Sequence, residues 1–221
     1  MKNITLSANE ASILAGNKLL KNTYLLLSMT LLFSAVTAGA AMALDLPHPG
    51  FMITLIGYFG LLFLTTKFRN SAWGLVFVFA LTGFMGMTLG PILNFYVKAF
   101  SNGHELILMA LGGTGAIFLG LSGYALTSKK DFSFMGGFLM VGVMVAFLAG
   151  IGAMVFAIPA LSLAVSAMFV LLMSGIILWQ TSDMIHGGET NYIMATINLY
   201  VSIFNLFTSL LQILGVLGGD D

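Results

Sequence analysis

The chain contains no cysteine, only 4 prolines, and few charges: 7% of its 221 residues are Asp, Glu, Lys or Arg. Without a thiol there is no disulfide, no thiolate metal ligand and no cysteine nucleophile. So small a charged fraction cannot cover a water-soluble domain, in which about 25% of residues are charged. Soluble enzyme folds are therefore excluded. The 8 basic and 8 acidic side chains cancel, which leaves no basic field for a polyphosphate and excludes nucleic-acid binding.

What the chain has instead is apolar residues, 59% of the total, with a mean hydropathy of +1.03. They fall in seven runs, residues 24–44, 51–66, 72–93, 106–127, 134–156, 161–185 and 192–217. A helix needs about 20 such residues to cross roughly 30 Å of hydrocarbon. The second run is the shortest and must thin the bilayer locally or borrow from its flanks. Polar breakers such as DLPHPG (45–50) and HGGETN (186–191) separate the runs, and connections this short force neighbouring helices to be antiparallel. The first run exceeds the 7–15 residues of a signal-peptide core, so it is expected to stay as a helix. The expected fold is an all-α integral membrane protein, a bundle of seven transmembrane helices over residues 24–217. A polar tail (1–23) precedes it and a short tail (218–221) follows.

Orientation follows from the basic residues. Lys2, Lys18, Lys21, Lys67, Arg69, Lys129 and Lys130 fall on one side of this arrangement and only Lys98 on the other. Cytoplasmic loops hold the excess, so the N-terminus is expected in the cytoplasm and the C-terminus outside. Small residues that let helices approach recur as Gly86-xxx-Gly90, Ala116-xxx-Gly120 and Gly142-xxx-Ala146-xxx-Gly150, which marks spans three to five as the tightly packed part. Pro91 is expected to kink or end the third span.

Charge inside a bilayer is costly and tends to mark function. Only Asp183 lies within a run, and it belongs to a concentration of polar residues in the last two: Gln180, Asp183, Asn198, Ser202 and Asn205. The last three share one helix face at i, i+4 and i+7. If the HGGETN turn folds the two helices back on each other, Gln180 lies level with Ser202 and Asp183 near Asn198 or Leu199. Such a polar seam serves equally as interhelical glue or as an ion or proton path. Gly120-Leu121-Ser122-Gly123 spells the G-x-S-G of intramembrane serine proteases, but the histidines His48, His104 and His186 all lie in loops, so no catalytic site is assigned. His186-xx-Glu189 lacks a third ligand, and no metal or other cofactor is assigned.

Four stretches together resemble the Bax inhibitor-1 family, in its bacterial YccA-like branch: LLKNTYLLLSMTLLFSA (19–35), LTGFMGMTLGPILNFY (81–96), SKKDFSFMGGFLM (128–140) and HGGETNYIMATINLYVSIFNLFTSLLQILG (186–215). The resemblance implies a seven-helix protein of the bacterial inner membrane, not an enzyme, and two activities. One is binding and modulation of the membrane AAA protease FtsH, by competition with its other substrates. The polar tail with Lys2, Lys18 and Lys21 would then be the handle that the protease grips. The other is a pH-sensitive leak of calcium, another cation or protons, which in the family relies on paired aspartates in the last two helices. Here Gln180 and Ser202 stand at those positions, and neither ionises.

Overall fold

The computed structural model describes residues 8–218. Among them are seven long helices: α1 (Ala8–Ala43), α2 (Phe51–Phe68), α3 (Ala72–Ala99), α4 (Gly103–Ser128), α5 (Gly136–Val155), α6 (Pro159–His186) and α7 (Tyr192–Gly218), with a single 3₁₀ turn, Ser133–Met135, leading into α5. All seven are long and apolar enough to cross a membrane. Hydrocarbon offers no partner for a backbone N–H or C=O, so a run this apolar satisfies its own groups as a helix.

The connections use local chemistry to stop and restart the helices. Lys129 ends α4 in the left-handed region at φ 52°. Gly187 does the same for α6 at φ 82°, and the next amide, Gly188 N–H, bonds back to the Asp183 carbonyl at 2.9 Å. That six-to-one bond is the mark of a Schellman end. Four residues later Asn191 caps α7, its Oδ1 accepting the amides of Ile193 (3.0 Å) and Met194 (3.1 Å). Its Nδ2 donates to the Arg69 carbonyl and to Asn70 Oδ1, which ties the α6–α7 turn to the α2–α3 turn.

Helix α7 is the pillar of the bundle and packs on α1, α3, α4 and α6. Ile197, Leu199 and Leu206 of α7 are fully buried against Val78 and Leu81 of α3 and Ile177 of α6. Helices α2 and α5 are peripheral, with only 6% and 17% of their apolar windows buried. The most extensive helix pair is α1 with α3, where Gly86 and Gly90 lie directly against Ser34, Thr37, Ala38 and Ala41. Gly142 meets Leu172 of α6. The expected tight block of spans three to five does not form as such: Ala116 and Gly120 are exposed. Small residues permit close approach, but which neighbour uses the face depends on the whole arrangement.

Two further expectations change. Helix α3 continues past Pro91 to Ala99, because proline removes only its own N–H bond and the segment beyond it is held from outside. There Asn94 Nδ2 donates to the Met42 carbonyl (3.0 Å) and Asp45 Oδ1 (3.1 Å), and Lys98 Nζ pairs with Asp45 at 2.7 Å. At the other end, helix begins at Ala8, so residues 8–23 extend α1 instead of forming a separate tail. Leu19 and Leu20 pack onto the main core and carry the helix inward, while Lys18 and Lys21 stand exposed on it. Lys2 and residues 219–221 of the expected outer tail lie outside the described residues.

Candidate functional site

The polar groups of α6 and α7 form two separate clusters. At the end where both helices meet the HGGETN turn, Gln180 and Asp183 of α6 and Asn198 of α7 line one cavity of about 110 Å³, together with Trp179, Met184, Ala195 and Glu189. Gln180 thus shares this cavity with Asn198, and Ser202, expected opposite it, is not among the lining residues. Asp183 and Asn198 do come together. The carboxylate of Asp183 packs so closely over Gly188 that a Cβ there would overlap it, which gives that glycine a steric reason. Gln180 Oε1 is buried and has no hydrogen-bond partner. A buried acceptor left open is costly and marks the cavity as a place where a donor or a cation would be welcome.

Ser202 and Asn205 do not join the cavity. The Ser202 hydroxyl donates to the Asn198 carbonyl (2.8 Å) and the Asn205 amide to the Val201 carbonyl (2.8 Å), each one turn back on α7. The expected five-residue seam is therefore interrupted, because hydroxyls and amides in a helix can satisfy themselves on the i−4 carbonyl. Glu189 is the residue that sequence reasoning missed. The Gly187–Gly188 pair lets the chain fold back over the end of α6, and Glu189 Oε1 then accepts the amides of Thr190 (2.8 Å) and Asn191 (2.7 Å). The glycine pair was the available signal.

A second polar cluster lies at the far end of the same two helices. Ser166 Oγ donates to Gln212 Oε1 (2.8 Å), and Gln212 Nε2 donates to Ser162 Oγ (2.6 Å). This closed set is structural glue of the kind expected between membrane helices.

Around the first cavity the α4–α5 loop is tied to the end of α6. Ser182 Oγ donates to the Lys130 carbonyl (3.1 Å) and accepts from the Phe132 amide (3.0 Å). His186 Nδ1 lies 2.8 Å from the Ser182 carbonyl and Nε2 lies 3.2 Å from the Lys129 carbonyl. Asp131 in this loop accepts the Ser133 hydroxyl and amide, which holds its carboxyl below the ordinary range, with His186 adding to the effect. Ser122, the serine of the protease-like G-x-S-G, is buried beside Thr181 Oγ1 at 3.4 Å, and Thr181 also faces Tyr24 Oη at 3.4 Å. That places it in a polar knot joining α1, α4 and α6. Among the described residues no group of three His, Cys, Asp or Glu is placed to hold a metal ion.

The comparisons with known proteins agree with this architecture. Residues 16–219 match the family described as "Inhibitor of apoptosis-promoting Bax1". The chain is 51% identical to the "Modulator of FtsH protease YccA" of Escherichia coli strain K12, over 98% of each chain. It is equally similar to the "Inner membrane protein YccA" of Escherichia coli O6:H1. It is 56% identical to an uncharacterized protein of Pseudomonas aeruginosa over 91% of this chain and 90% of that one. The two YccA names are those of a protease modulator and a membrane protein, in keeping with a non-catalytic chain. With seven spanning helices, a family match over nearly its whole length and relatives alike from end to end, the chain belongs to the Bax inhibitor-1 family.

Proposed function

We propose that this chain resides in the bacterial inner membrane and modulates FtsH there, by occupying the protease and yielding to it slowly. The observation that carries this reading is 51% identity, over 98% of both chains, to the modulator of FtsH protease. A processive protease needs an end to grip and then has to extract the helices behind that end. The handle is the amino-terminal segment around Lys2, and the element behind it is α1, with Lys18 and Lys21 on its exposed face. Extraction of α1 breaks its long contact with α3 and the buried bond between Ser34 and Tyr200 (2.6 Å). A substrate that engages readily and unfolds slowly competes with others for the same machine.

The test is a degradation assay with purified FtsH in proteoliposomes and a second, fast membrane substrate. The full chain should lengthen the half-life of that substrate, and a version lacking residues 2–7 should not, since the helix from Ala8 onward is kept. If the fast substrate is degraded at the same rate with and without the full chain, the reading fails.

A second reading, a leak for calcium, another cation or protons, draws on the cavity of Gln180, Asp183, Glu189 and Asn198. It would need a continuation across the membrane, yet Ser202 and Asn205 are engaged with their own helix. Flux from calcium-loaded vesicles that is lost in Asp183→Leu would favour it.

A further inference from the structure

A second cavity, larger than the one beside the carboxylates, lies further along α7 from them. It has a volume of about 410 Å³ and is walled by α1, α3, α4 and α7. Helices α1 and α4 both rest on α3 and α7, and between them a cleft is left. Ala35 and Gly39 of α1 and Leu111 of α4 line it and are exposed, so they form the lips of a lateral opening. In a bilayer that opening meets hydrocarbon.

The walls say what belongs inside. Their polar side-chain atoms are already engaged: Ser34 Oγ with Tyr200 Oη at 2.6 Å, Tyr200 onward to the Thr82 carbonyl at 3.2 Å, and Thr114 Oγ1 to the Ala110 carbonyl at 2.7 Å. An ion, sugar or nucleotide would find no free partner, and desolvating it there would be unfavourable. At about 30 Å³ for one water-sized group, the volume takes roughly a dozen methylenes. Met42 and Leu93 close the apolar part. Next to them Asn94 holds the Met42 carbonyl, and one turn further Lys98 pairs with Asp45 while remaining 63% exposed. An ammonium has three donors and this pair uses one. Apolar slot and exposed cation therefore follow each other in the order of a phospholipid's chain and phosphate.

We propose that this cleft is a phospholipid site, taking one acyl chain from the leaflet at the Asp45 end with the phosphate at Lys98. The test uses the full chain in vesicles of phosphatidylethanolamine and phosphatidylglycerol, with a trace of phosphatidylglycerol carrying a diazirine along one acyl chain. After irradiation and peptide mapping, adducts should be enriched on Ala35, Gly39 and Leu111 over Phe138 and Val141, which are lipid-facing positions of α5. Gly39→Leu and Gly115→Leu fill the cleft. No atom lies within 4 Å of a Cβ at either, so both variants should fold. Each should bring cleft labelling down to the α5 level and leave α5 labelling unchanged. Gly60→Leu on α2, also in open space, should alter neither. Lys98→Gln should lower cleft labelling by this anionic probe. Equal labelling of cleft and α5 in the parent chain overturns the proposal. So does cleft labelling that survives both filling variants, or a cleft left unlabelled in a chain that sediments as a stable dimer.

Discussion

Replacing Gly86 by Ala inserts one methyl into the most extensive helix pair, α1 with α3. A Cβ at Gly86 would lie closer than 3.0 Å to the Ser34 carbonyl and to the hydroxyls of Ser34 and Thr37. The hydroxyls can rotate, but the carbonyl is backbone. Helix α1 must therefore retreat by more than the 0.4 Å that separates 3.0 Å from ordinary contact at 3.4 Å. Overpacking of this kind costs about 1–3 kcal/mol. The retreat also stretches the Ser34–Tyr200 hydrogen bond, and such bonds in membranes are worth about 0.6 kcal/mol on average. Against this, Ala is the better helix former by up to about 1 kcal/mol. The net loss should be about 2 kcal/mol, or roughly 30-fold in the folding equilibrium constant. The same substitution at Gly112, where no atom lies within 4 Å, supplies the control and should leave stability unchanged or slightly raised. Reversible unfolding in mixed micelles with increasing dodecyl sulfate reads both. Under the proposed function, Gly86→Ala should also shorten the half-life of the chain in the presence of FtsH. If Gly86→Ala and Gly112→Ala unfold at the same detergent fraction, the account of α1 against α3 is wrong.

Tyr200→Phe removes a hydroxyl that joins α1, α3 and α7, and should cost about 1 kcal/mol in the same unfolding assay, because Ser34 can turn back onto its own helix; a loss below about 0.3 kcal/mol would refute the bridge. Gln180→Leu removes the unpartnered buried acceptor and should leave the fold as stable or up to about 1 kcal/mol more stable; a marked destabilisation would mean that Oε1 has a partner after all. The Asp131 carboxyl, held below the ordinary range by Ser133, should titrate with a lowered midpoint in ¹³C NMR that rises in Ser133→Ala. Since the shift is a depression, whatever it contributes is present above the unfolded-state value and lost only as the pH falls through the folded one, so stability near neutral pH should not move.

The seven helices were legible because crossing a bilayer demands long apolar runs, and Asp183 could be set near Asn198 because the HGGETN turn is short enough to force two antiparallel helices. Where the reading slipped, the deciding term was a contact between distant parts of the chain. Pro91 does not end α3 because Asp45, forty-odd residues earlier, holds Asn94 and Lys98. Ser202 and Asn205 share a face with Asn198, yet periodicity cannot say that a side chain will bond to its own helix. Glu189 belongs to a turn, where the left-handed Gly187 reverses the chain, and apolar periodicity carries no information there. The four-walled cleft is invisible in sequence for a related reason. It arises from two helices, α1 and α4, that share neighbours without closing on each other.

The order of the helices bears on how such a bundle comes apart under load. The peripheral elements, α2 and α5, lie in the interior of the sequence, whereas α1 and α7 are the first and last helices of the described residues and both pack into the centre. Thr23, Thr30, Ser34 and Ala41 of α1 are buried, as are Tyr200, Leu206 and Leu211 of α7. A pull transmitted from either direction along the chain therefore reaches a central helix before a loosely held one. In the opposite arrangement, with α2-like helices at the ends, each extraction step would free a little-buried helix, and resistance would build only late. Here a well-packed helix is met first, which under the proposed function is what would slow extraction. A single-molecule pull from the α1 side should then show a first force step higher than the one that frees α2, and that first step should be the one lowered by Gly86→Ala.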